Sequence, residues 1–154
     1  MWSAENDQGE AQHLVVSWTD NQNFITANFT ASVKGVSVGH ATHWVGWDPL
    51  AKRIRSWIFD VTGGFGEGAW TKDEDRWVVK TSSVQQDGKK ATATFRIGRV
   101  DADTLTLQST NRTVDNKPAP DTKEFRLKRV KEEALRTSKA ARNLPASGLA
   151  ASRR

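Results

Sequence analysis

The sequence predicts an all-β fold, in which an antiparallel up-and-down meander of about nine strands closes into a barrel. Between His13 and Val130, short segments of β-branched and aromatic residues are separated by clusters of turn residues. No helical periodicity interrupts this pattern, so the parallel sheets of α/β proteins, which need crossover helices, are excluded. A long meander leaves two free edges, and closure into a barrel removes them.

Alternation of apolar and polar residues identifies the individual strands. Ile25, Ala27 and Phe29 fall on one face of a strand, while Thr26 and Asn28 fall on the other face. The same alternation, bounded by turn residues, predicts the full set of strands at 13–19, 23–34, 36–47, 53–61, 69–71, 76–84, 90–100, 104–113 and 123–130.

Two local sequences mark special turns. The pair Asp48-Pro49 ends the strand at 36–47, because proline removes a backbone donor and restricts the residue before it. The run Gly63–Gly68 holds four glycines in six positions. Such density predicts a sharp bend or a close approach of two backbones.

The chain of 154 residues suits one domain, and the pattern divides it into three parts. We assign residues 1–12 to a polar N-terminal segment, 13–130 to the barrel domain, and 131–154 to a basic C-terminal helix or tail. Good helix formers run from Lys131 to Asn143 before Pro145.

Composition excludes several classes of protein. The chain has no cysteine, which rules out disulfides, thiolate chemistry and cysteine-based zinc sites. No apolar run approaches the ~18 residues of a membrane-spanning helix, so we expect no membrane partner. The N-terminal residues lack the basic start and apolar centre of a signal peptide, and we therefore expect a cytoplasmic location.

The positive charge is concentrated at the C-terminus. Residues 131–154 carry a net charge of +4 out of +5 for the whole chain, which leaves the barrel domain close to neutral. That segment has no aromatic residue to stack on bases. We expect a solvated tail, with weak nucleic-acid binding through this segment as an alternative.

The aromatic residues are unusual, with seven tryptophans, six phenylalanines and no tyrosine. Five of the tryptophans fall on strands that would be neighbours, so their rings could line one cavity. Dense packing of a solid interior is the alternative. The candidate ligand-binding residues are Trp44, Trp47, Arg55, Trp57, Phe59, Trp70 and Trp77.

Acid–base chemistry has few candidates. His43 with Asp60 or Glu67 is the set that could transfer a proton. Asp60 and Arg55 point to opposite faces of their strand, so these polar groups cannot all face one cavity. His40 and His43 also point to opposite faces, and we expect neither a metal site nor a cofactor.

The stretch Gly46–Trp70 carries a family resemblance. Its runs GWDP, IRSW-x-FD and GGFGEG-x-W resemble the C-terminal region of bacterial proteins, common in planctomycetes, that are labelled SnoaL-like or nuclear-transport-factor-2-like. The strand TLTLQSTNRTVD and the loop KPAPD are also similar to that region. The resemblance therefore covers residues 13–130.

The resemblance implies that this region follows an α+β cone domain of the SnoaL type, whose relatives include polyketide cyclases, ketosteroid isomerases and dehydratases. A cone domain opens with helices, whereas this chain opens with predicted strands, so the enzymatic activity is not carried over. The GWDP strand is similar to those of calycin-type barrels, which hold small apolar ligands. A calycin-like barrel is the fold that the resemblance implies.

These observations favour a non-enzymatic barrel that binds a small apolar or aromatic ligand, or an accessory module for a SnoaL-like domain partner. One alternative is an isomerase- or cyclase-type enzyme that uses His43 with Asp60 or Glu67 for proton transfer. Another is weak nucleic-acid binding through the basic tail. A homodimer formed through a free edge strand is a further alternative.

Overall fold

Eleven antiparallel strands form one continuous sheet. The computed structural model describes residues 1–6 and 8–130. The strands are β1 (Trp2–Glu5), β2 (Glu10–Trp18), β3 (Phe24–Val33), β4 (Val36–Asp48), β5 (Arg53–Asp60), β6 (Phe65–Asp73), β7 (Arg76–Val84), β8 (Lys90–Asp101), β9 (Thr104–Val114), β10 (Lys117–Ala119) and β11 (Phe125–Arg129).

The sheet closes into a barrel because β9 pairs along both of its edges. Strands β1 to β9 pair in sequence order, and β9 also pairs with β11, which pairs in turn with β1. The short strand β10 pairs with the other end of β9, beyond the part that β11 occupies. The predicted antiparallel meander and its closure into a barrel are confirmed.

Two strands were not among the nine predicted from the sequence. Strand β1 lies in the polar N-terminal segment, and its Trp2 aligns with Leu14 on β2 and Arg129 on β11. Strand β10 lies in the loop expected at residues 115–121. Both strands are too short to show alternation. The predicted helix or tail at 131–154 lies outside the described residues.

The second part of the glycine-rich run, from Phe65 to Gly68, belongs to strand β6. A Cβ atom added at Gly66 would lie 2.6 Å from the carbonyl oxygen of Ser82 and 2.6 Å from the Cβ of Ser83, both on β7. The predicted close approach of two backbones is therefore confirmed. Strand β6 begins at Phe65, earlier than residue 69, because these glycines pair as strand residues.

Asp48 organises the turn between β4 and β5. Its Oδ1 accepts hydrogen bonds from the backbone N–H groups of Leu50 at 3.0 Å and Ala51 at 2.9 Å, and Arg55 donates to its Oδ2 at 3.2 Å. These hydrogen bonds, led by the one from Ala51, hold the pKa of the Asp48 carboxyl below its ordinary value. The GWDP run therefore has a structural role in this hairpin.

Strand register assigns the side chains to two faces, because residues aligned across neighbouring strands point the same way. His43 aligns with Ile58, which aligns with Gly66. This face is the inner one, since it carries most of the apolar residues, including the buried Val79 and Leu127. The opposite face of each strand forms the outer surface of the barrel.

Two aromatic side chains pack together at one end of the barrel interior. The rings of Trp70 and Trp77 meet edge to face, with 6.1 Å between their centroids. Trp70 Nε1 donates a hydrogen bond to Oγ of the buried Ser56 at 2.9 Å, and Trp77 aligns with Ile97. We call this end, which lies beside the β4–β5 and β6–β7 turns, the packed end.

Replacing Gly66 by alanine should lower the free energy of unfolding by about 1–3 kcal/mol, because the new methyl group would overlap the β7 backbone. Chemical denaturation measures this change. Gly39→Ala is the matched control, since a Cβ atom there would meet only the Cβ of Ala31, at 3.8 Å. Equal unfolding midpoints for the two variants would contradict the close approach of β6 and β7.

Candidate functional site

A cavity of about 350 Å³ occupies the end of the barrel opposite the packed end. It opens beside the β5–β6 and β7–β8 turns, and we call it the barrel cavity. Its volume suits a small organic molecule, for which sites of roughly 300–1,000 Å³ are typical. The inner-face residues that line it are His43, Ser56, Ile58, Asp60, Thr81, Ser83, Ala91, Ala93, Phe95, Ser109, Arg112 and Val114.

The cavity exists because the inner residues at this end are small. Gly66, Ser83 and Ala91 lie in one aligned row across β6, β7 and β8. At the packed end, the inner faces of β6 and β7 carry Trp70 and Trp77 instead. A ten-stranded barrel is wider than the eight-stranded barrels whose interiors side chains just fill. Small residues at one end therefore leave unfilled space.

His43 projects from β4 into the barrel cavity. Burial removes water from its imidazole and lowers the pKa of His43 below its ordinary value of 6.5, because desolvation disfavours the charged form. The ring is therefore neutral at pH 7. A neutral imidazole offers one hydrogen-bond donor and one acceptor to a molecule in the cavity.

Asp60 ends strand β5 at the mouth of the barrel cavity. Its Oδ1 accepts hydrogen bonds from the Thr62 hydroxyl at 2.6 Å and from the N–H groups of Thr62 at 2.8 Å and Gly64 at 2.9 Å. These bonds, led by the Thr62 hydroxyl, lower the pKa of Asp60. Asp60 is thus ionised at neutral pH and stabilises the β5–β6 turn.

The carboxylate of Glu67 is held away from His43. Glu67 borders the cavity but aligns with Trp57 on the outer face, where its carboxylate pairs with Arg55. The same guanidinium pairs with Asp48 and lies 5.8 Å from the centroid of the Trp57 ring. Of the two predicted carboxylate partners of His43, only Asp60 shares its inner face.

The structure divides the predicted ligand-binding residues between two faces and places none of them along the barrel cavity. The physical reason is the period of two along each strand, which separates residues such as Trp44 and Trp47. Register places Trp44, Arg55, Trp57 and Phe59 on the outer face. It places Trp47, Trp70 and Trp77 on the inner face, toward the packed end.

Sequence reasoning missed two polar residues that line the cavity, Ser109 and Arg112, both on β9. Ser109 is 6% exposed, and its Oγ has no hydrogen-bond partner among the described residues. The strand containing them was predicted, and its run TLTLQSTNRTVD carries part of the family resemblance, but neither observation assigned these two residues to a site. Asn111, a residue type that tolerates a positive φ, was the one signal of irregular register in this part of the strand.

The histidines lie apart in the barrel. His40 aligns with Thr30 on the outer face, whereas His43 aligns with Ala27 on the inner face. Among residues 1–6 and 8–130, no group of three or more histidine, aspartate or glutamate side chains could hold a metal ion. The same residues contain no helix that is long and apolar enough to cross a membrane.

Comparison with known proteins adds no family assignment. The sequence matches no protein-family model and no curated protein.

Acidification should destabilise the protein through His43. The unfolded chain binds a proton at this residue near pH 6.5, whereas the folded chain binds it only at lower pH. The stability is therefore fully present above that pH and falls as the pH drops toward the folded-state pKa. His43→Gln should remove this loss, which urea denaturation between about pH 7.5 and 5.5 would measure.

His40→Gln is the matched control, because His40 lies on the outer face of the same strand. This variant should retain the pH dependence of the wild-type protein. Parallel stability profiles for the wild type and His43→Gln would show that folding does not lower the pKa of His43.

Proposed function

We propose that this chain is a ligand-binding barrel that holds one small, largely apolar molecule in the barrel cavity and does not transform it chemically. The observation that carries this proposal is the cavity of about 350 Å³ at one end of a barrel whose other end holds the packed rings of Trp70 and Trp77. Apolar walls with a few polar groups are the usual composition of a small-molecule site.

The walls favour an apolar ligand body. Ile58, Ala93 and Phe95 contribute apolar surface to the cavity. Burial of apolar ligand surface against such walls contributes about 25 cal/mol per Å². The neutral imidazole of His43 and the unpartnered hydroxyl of Ser109 can fix the orientation of that body by hydrogen bonding.

The arrangement of the acidic groups favours binding over proton transfer. Asp60 shares the inner face with His43, but no hydrogen bond between these two residues is present in the described chain. The Asp60 carboxylate instead accepts three hydrogen bonds within its own turn. Glu67 pairs with Arg55 on the outer face. A general base must reach the proton that it abstracts, and neither carboxylate is arranged with His43 for that purpose.

We also propose that the module acts beside a SnoaL-like domain, on the strength of the GWDP, IRSW-x-FD and GGFGEG-x-W runs. In this barrel the first run organises a turn through Asp48, and the third brings β6 close to β7 at Gly66. The runs therefore support a shared barrel architecture, and they do not supply catalytic groups.

A neutral apolar probe such as N-phenyl-1-naphthylamine should bind in the cavity, with a fluorescence increase that saturates at one probe per chain. Ala93→Phe should weaken this binding by about tenfold or more, because the added ring occupies the cavity. Thr94→Phe is the matched control, since Thr94 aligns with Lys80 on the outer face of the same strand. Equal affinities for the two variants would contradict binding in the cavity.

A further inference from the structure

We propose that the ligand of the barrel cavity is an organic monoanion, with an apolar body and a carboxylate head group that Arg112 binds. This inference rests on the proposed function and adds the chemical class of the ligand. It follows from three observations: the register of β9, the hydrogen bonding of Arg112, and the buried, unpaired hydroxyl of Ser109 on the same strand.

A β-bulge turns Arg112 into the barrel. Thr92 aligns with Thr113, but Thr94 aligns with Thr110, so β9 has one more residue than β8 over this stretch. Asn111 occupies the bulge with a φ of 49°, a left-handed conformation that asparagine tolerates. Regular alternation from the inward-facing Ser109 would direct residue 112 outward, and the extra residue reverses that direction.

Arg112 is held in place but keeps most of its hydrogen-bonding capacity. Its Nη1 donates to the carbonyl oxygen of Pro120 at 2.7 Å, which fixes the guanidinium at the cavity wall. No carboxylate among residues 1–6 and 8–130 forms an ion pair with it. A guanidinium has five N–H donors and stays charged at all physiological pH values. The remaining donors suit the two oxygens of a carboxylate, for which the planar fork of arginine is well matched.

Ser109 supplies a second, independent sign of a polar head group at this wall. It lies on the same face of β9 as Arg112, is more than nine-tenths buried, and lines the cavity. Its hydroxyl has no hydrogen-bond partner in the described part of the chain and is itself closed off from the cavity, so the side chain must rotate to reach a ligand. Buried hydroxyls are almost always paired, so an unpaired one at a cavity wall indicates a partner that the ligand provides.

The acidic residue on the inner face of the cavity, Asp60, lies on a different wall from Arg112. Asp60 is on β5, and three strands separate it from β9 along the sheet. Its ionised carboxylate disfavours a second negative group at that side of the cavity. A ligand whose apolar body lies between the two walls can place its one negative charge at Arg112. It then pairs with the guanidinium and stays away from the Asp60 carboxylate. A monoanion therefore fits this cavity better than a dianion.

Isothermal titration calorimetry with 2-naphthoate and its neutral analogue 2-naphthalenemethanol tests this assignment. The wild-type protein should bind 2-naphthoate about tenfold or more tightly than the alcohol, because charge-assisted hydrogen bonds are stronger than neutral ones. Arg112→Gln should abolish this preference and keep the affinity for the alcohol. Arg126→Gln is the matched control, since Arg126 is an exposed outer-face residue, and it should keep the preference.

Arg112→Lys separates recognition from folding, because it retains the charge and loses the planar fork. It should bind 2-naphthoate less tightly than the wild type and more tightly than Arg112→Gln does. Equal wild-type affinities for acid and alcohol would overturn the anion assignment and leave the proposed function standing. An equal loss of both ligands in Arg112→Gln would assign Arg112 a structural role instead. Binding of neither ligand by the wild type would overturn the proposed function itself.

Discussion

The interior width of a closed barrel is the constraint on which the rest of this structure depends. Ten strands enclose more volume than side chains fill by default, so the distribution of large and small inner residues determines where space remains. Trp70 and Trp77 lie at one end, and the small residues Gly66, Ser83 and Ala91 lie in one row at the other. The location of the unfilled space therefore follows from where large and small inner residues occur along the strands.

Arginine side chains on the two faces of the barrel have different hydrogen-bond partners. On the outer face, Arg55 is paired with both Asp48 and Glu67, which leaves it little capacity for a ligand. On the inner face, Arg112 donates to a backbone carbonyl and faces the cavity. An arginine with an acidic partner stabilises a surface, whereas an arginine positioned by a neutral group at a cavity wall is suited to bind an anion.

Alternation predicted most strands, and within a regular strand it predicted which side chains share a face, because both follow directly from a period of two. The opposition of Arg55 and Asp60 on β5, expected from sequence, is an example that the register confirms. The inward direction of Arg112 could not be found in this way, since it depends on a bulge at Asn111 that shifts the register of β9 against β8. Strand β1 escaped prediction because it has four residues and because one of its two pairing partners, β11, is far away in sequence.

Intermolecular nuclear Overhauser effects between the isotope-labelled protein and unlabelled 2-naphthoate would locate the ligand most directly. We predict contacts from the naphthalene ring to the methyl groups of Ile58, Ala91 and Ala93, which line the barrel cavity. Contacts confined to Trp44 and Phe59 on the outer face would contradict binding inside the barrel.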